Sequence, residues 1–88
     1  MEKNFKLEIE RDYHVEHLEV AYFEHLGQAI VRVKTFGREQ RIADKCPLHY
    51  WWSVAAYNDD AETEGIRTAN GTYDREWNPI IENINAAQ

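Results

Sequence analysis

Four side chains of metal-ligating type fall into two short spacings, His14 and His17 as HxxH and Cys46 and His49 as CxxH. A thiolate and three imidazoles form a donor set that tetrahedral zinc accepts. On a strand, however, residues three apart point to opposite faces, so the two histidines converge only through a bulge, a turn or a helix. A single cysteine ahead of a proline reads more naturally as a small hydrophobe. Glu16 and Glu24 offer the histidines ion-pair partners at the surface instead. A zinc-stabilised module is therefore a minor reading, and no cofactor is expected.

Catalytic chemistry finds less support. Cys46 and His49 would make a thiolate–imidazole pair only if they met, and no third group is placed to orient the base. The chain has no GxSxG elbow and no GxxxxGK[ST] phosphate loop, and no carboxylate pair is brought together by spacing. The expectation is a protein that is not an enzyme.

Binding chemistry is concentrated in one segment. Leu48 to Tyr57 is apolar nearly throughout and is followed by Asp59, Asp60, Glu62 and Glu64 with no intervening base. Read as a helix from about 47 to 60, the segment is apolar on all sides, more than a small domain can bury. Tyr50, Trp52 and Tyr57 are the candidate aromatic anchors, and the four acids form a rim suited to a partner with a basic surface. The same aromatic helix, buried against a copy of itself, makes a homodimer the alternative.

The whole chain constrains these readings. Its 88 residues carry a net charge of −6, with 43% hydrophobic and 30% charged residues. A single domain of this size has little spare core for a supported catalytic cleft. Residues 32–45 hold Arg32, Lys34, Arg38, Arg41 and Lys45 against Glu39 and Asp44, a net of +3, which leaves −9 elsewhere. That overall acidity opposes direct nucleic-acid binding. The charged opening segment and the lack of a long apolar stretch predict a cytoplasmic protein with no membrane association.

The expected fold is α+β. Phe5, Leu7 and Ile9 alternate with Lys6, Glu8 and Glu10, which predicts a strand over 4–11. Leu18–Phe23 and Ala29–Phe36 read as a hairpin across Gly27, followed by a shorter strand ending near Ile42. A helix over 13–26, capped by Asp12, competes with the first of these. This three- to four-stranded antiparallel sheet packs against the main helix. Asn70-Gly71 predicts a small hairpin, Gly65 a helix stop, and Asn78-Pro79 the start of a short C-terminal helix carrying Ile80, Ile81 and Ile84. The leading functional expectation is a small acidic inhibitor or regulator of a larger partner such as nucleic-acid-handling machinery, the type used, by analogy, by phages and mobile elements.

Overall fold

The computed structural model describes residues 4–11, 16–58 and 63–84, with side chains for 4–11, 18–56 and 68–84. Five strands and one helix follow in the order β1 (Phe5–Arg11), β2 (Glu16–Phe23), α1 (Leu26–Ile42), β3 (Tyr50–Asn58), β4 (Thr63–Tyr73) and β5 (Pro79–Ile84). The strands form one antiparallel sheet in the order β2-β1-β3-β4-β5. The α+β class, β1 and the strand at Leu18–Phe23 agree with the sequence reading. The helix alternative for 13–26 is excluded over Glu16–Phe23, and residues 12–15 lie outside the described ones.

The positions of main helix and central strand are exchanged relative to expectation. Residues 29–42, predicted as strands, form α1. Its buried Ala29, Val33, Phe36 and Gly37 recur at helical spacing, while the apparent alternation at Val31 has no buried counterpart, that side chain being 60% exposed. At the helix start the Gln28 side chain reaches back to the His25 backbone N–H, at 2.9 Å.

Residues 50–58, predicted as helix, form β3, and their unbroken apolarity is that of a central strand flanked by β1 and β4. Tyr50, Trp52 and Val54 are buried on the helix side, and Trp51, Ser53 and Ala55 alternate onto the open side. Gly65 and Asn70-Gly71 lie within β4 instead of ending a helix or making a hairpin tip.

The predicted C-terminal helix is β5. Asp74 terminates β4, and its Oδ1 accepts the backbone N–H groups of Glu76 and Asn78, each at 2.9 Å. Asn78 thus belongs to a tight turn and not to a helix cap. Those same N–H groups hold the Asp74 carboxyl below its ordinary range, Asn78 contributing most.

The core lies between α1 and one face of the sheet. Leu7, Val54 and Ala69 form one row across β1, β3 and β4, and Ile9, Trp52 and Gly71 form the next. Gly37 lets α1 approach the turn between β4 and β5 closely, because a Cβ there would stand 2.3 Å from the Trp77 carbonyl oxygen and 2.9 Å from the Tyr73 ring. At the far side Arg32 makes a two-pronged ion pair with Glu19 on β2 and a 3.3 Å contact with Glu39. Those carboxylates, the Glu19 hydrogen bond foremost, raise the arginine's basicity further and tie the helix to the sheet edge.

Candidate functional site

At the end of the sheet where β3 begins and β4 ends, four aromatic rings pack on the helix side. Tyr50 and Trp77 meet edge to face at 4.8 Å and 74°, Tyr73 lies 5.2 Å from Trp77, and Phe36 backs all three at 6.2–6.5 Å. The polar tips of two rings are satisfied. Tyr73 donates its hydroxyl to the Val33 carbonyl at 2.8 Å, and the Trp77 indole donates to the Lys45 carbonyl at 2.9 Å. The second bond fixes the loop between α1 and β3, in which Asp44 and His49 have φ of 57° and 69°.

This fixed loop forms one wall of a groove of about 410 Å³. Pro47, Leu48 and His49 of the loop line the groove together with Tyr50 and Trp51 of β3, Thr72 and Tyr73 of β4, and Glu82 of β5. Leu48 is 67% exposed and Trp51 half-buried, so apolar surface faces solvent beside a carboxylate. The Thr72 hydroxyl donates to Glu82 Oε1 at 3.4 Å, joining β4 to β5 at the rim. Next to this row, Asn70 is buried with no partner for its Oδ1 among the described residues.

Burial of Tyr73 sets a pH dependence. Burial first, and the Glu19 carboxylate second, push the phenol above its ordinary value near 10. The folded state thus keeps a proton that the unfolded state releases, so this contribution is complete below about pH 10 and lost as pH rises above it. Urea midpoints should therefore fall with alkalinity above about pH 10. Tyr73→Phe should cost about 1 kcal/mol at neutral pH and flatten that fall. Parallel alkaline curves for both proteins would assign the effect to other groups.

The sequence-derived candidates are scattered by the fold. Trp52 is 1% exposed and Tyr50 6%, so both belong to the core, and of the two only Tyr50 also borders the groove. The helix reading put them on an accessible face, whereas strand alternation turns them toward α1. Tyr57 and Glu64 are cross-strand neighbours on β3 and β4, and their side chains are not among those described. Asp59, Asp60 and Glu62 lie outside the described residues, in the segment between the paired Asn58 and Thr63.

Among the metal candidates, His14 is outside the described residues and His17 lies on β2, while Cys46 and His49 are exposed in the loop before β3. Among the described residues no three His, Cys, Asp or Glu side chains gather as ligands. Sequence reasoning missed Leu48, Trp51, Thr72 and Glu82 as a group. A period-two reading of Tyr50–Ala56 would have put Trp51 opposite Trp52, but Thr72 and Glu82 join it only through pairing across β3, β4 and β5.

Together these features define a two-layer α+β protein with one sheet face left uncovered among the described residues and a groove at one end of it. Comparison with protein-family models, with curated proteins and with solved structures finds no match for this chain. No described helix is long and apolar enough to cross a membrane.

Proposed function

We propose that this chain is a non-enzymatic binding module that regulates a larger protein partner carrying a basic surface. The observation that carries the reading is the groove, in which Leu48 and Trp51 offer apolar area beside Glu82 on a backbone held rigid by the Tyr50–Tyr73–Trp77 cluster. Rigid aromatic anchors with a polar rim suit protein recognition at low entropic cost. The acidic excess outside residues 32–45 adds electrostatic steering toward a basic partner. This reading retains the partner chemistry expected from sequence and moves the aromatic anchor from Trp52 to Trp51.

The test is affinity capture from host lysate at low and moderate salt, with the wild-type chain beside a Leu48→Asp/Trp51→Ala variant. A protein bound by wild type, weakened by salt and reduced at least tenfold with the variant is the expected result. Equal capture by the variant refutes the groove, and an eluate of nucleic acid alone refutes the partner class. In that last case the exposed Lys34, Arg38 and Arg41 of α1, spaced four and three residues apart, become the surface to mutate.

A further inference from the structure

The two edges of the sheet are built differently. On β2 the open side exposes Val20 and Tyr22, opposite Glu8 and Lys6, but the helix side carries the charged Glu19 in the grip of Arg32. Charges of this kind keep an edge from pairing with other chains. On β5 the helix side carries Ile81 and Ile84, opposite Gly71 and Ala69, and the open side carries Ile80, opposite Thr72. These isoleucines are 42–54% exposed, so apolar area flanks the unpaired edge on both faces.

The backbone of that edge is open to a further strand. The Ile80 carbonyl lies against Gly71, pointing toward β4. Peptide groups alternate in direction along the regular pairing from Pro79 to Ile81, so the N–H of Ile81 points away from the sheet just ahead of the bulge in which Glu82 is the extra residue between the pairs Gly71–Ile81 and Asn70–Asn83. An outward donor between exposed isoleucines accepts one kind of occupant, an extended chain.

Charge decides which extended chain. Antiparallel self-pairing of Pro79–Ile84 about its centre sets Glu82 opposite or one position from its own copy, and each copy already carries −6. Like charges so placed are destabilising. A segment alternating apolar and basic residues instead fills both isoleucine faces and pairs with Glu82. Six residues of strand bury well under the roughly 1,200 Å² of a stable interface, so the segment must be anchored elsewhere as well. The groove is contiguous, since Thr72 and Glu82 belong to both.

We propose that β5 is a strand-addition edge that takes an extended, apolar–basic segment of the partner. The inference rests on the binding-module reading above but fails independently of it. The probe is a dodecapeptide alternating lysine and valine, titrated into the full chain and followed by backbone amide NMR and hydrogen exchange. Its glutamate–valine counterpart is the control.

The lysine peptide is expected to shift and protect the amides of Ile80–Ile84, Ile81 foremost. Ile81→Pro, which removes the outward donor together with the isoleucine side chain, should weaken it at least tenfold, and Ile81→Ala, which removes the side chain alone, should weaken it less, with the thermal transition retained in both. Glu82→Lys leaves the backbone donors in place and should reverse the preference between the two peptides.

Absence of β5 shifts, equal binding of both peptides to the wild type, or an unchanged preference in Glu82→Lys overturns the proposal. Concentration-dependent dimers in light scattering that Ile81→Pro abolishes also overturn it, assigning the edge to a second copy. If the groove variant loses partner capture but no peptide touches β5, the edge alone is refuted. If peptide binds β5 but the groove variant captures normally, the groove reading fails and the edge stands.

Discussion

Replacing Trp52 with alanine should lower stability by about 3–5 kcal/mol, the range found when large aromatic side chains are truncated in well-packed cores. The indole is 1% exposed, in a row with Ile9 on β1 and Gly71 on β4, and it donates to the Thr72 carbonyl at 3.1 Å. Its removal leaves a cavity walled by strands whose ladders prevent collapse. An 88-residue domain has total stability near the low end of about 5–15 kcal/mol, so the variant should be largely unfolded at mild urea concentration. Trp51→Ala, on the open face, should cost about 1 kcal/mol or less while changing the groove. Equal losses in urea melts of the two variants would contradict the facing of β3.

Gly71→Ala is the second large effect, and its sign comes from a contest. In an ordinary strand, added Cβ stabilises by about 0.4–1 kcal/mol through the unfolded chain. Here that atom would stand 1.7 Å from the Ile80 carbonyl oxygen, 2.9 Å from its carbon and 3.0 Å from Cζ2 of Trp52. The closest obstacle is backbone, which cannot swing aside like a flexible side chain. β5 must retreat by more than 1 Å, at a cost of about 3 kcal/mol, within the upper range for overpacked sites. Hydrogen exchange should show Ile80–Ile84 losing protection before the rest of the sheet, with loss of peptide binding at the edge. A neutral or stabilised variant would show that β5 does not lie where these distances put it.

The two substitutions also show why sequence reasoning found some elements and missed others. β1 was legible because it has one buried and one polar face, so its period of two is written in the residues themselves. β3 is flanked by strands on both sides and is apolar without a break, a pattern that does not separate a buried strand from a buried helix. Its Trp, Tyr and Val content favoured strand, and Pro47 drew the reading toward a helix start. In α1 the alternation at Ala29, Val31 and Val33 outweighed the helical spacing of Ala29, Val33, Phe36 and Gly37. Gly71 reads as a turn from sequence because glycine after asparagine favours one. Its actual requirement, room for Trp52 and Ile80, comes from strands distant in sequence.

By itself the sequence determined the α+β class, the first strand, the excess of acid outside residues 32–45 and an aromatic-rich centre, because composition and local period carry those properties. Only tertiary structure decided which aromatic faces solvent. Strand alternation, not helical spacing, turns Trp52 inward and Trp51 outward. It alone also brought Leu48, Thr72 and Glu82 to one groove and left Ile80 and Ile81 on an open edge. Cross-strand register and strand order are properties of long-range pairing, and no local pattern of residues encodes them.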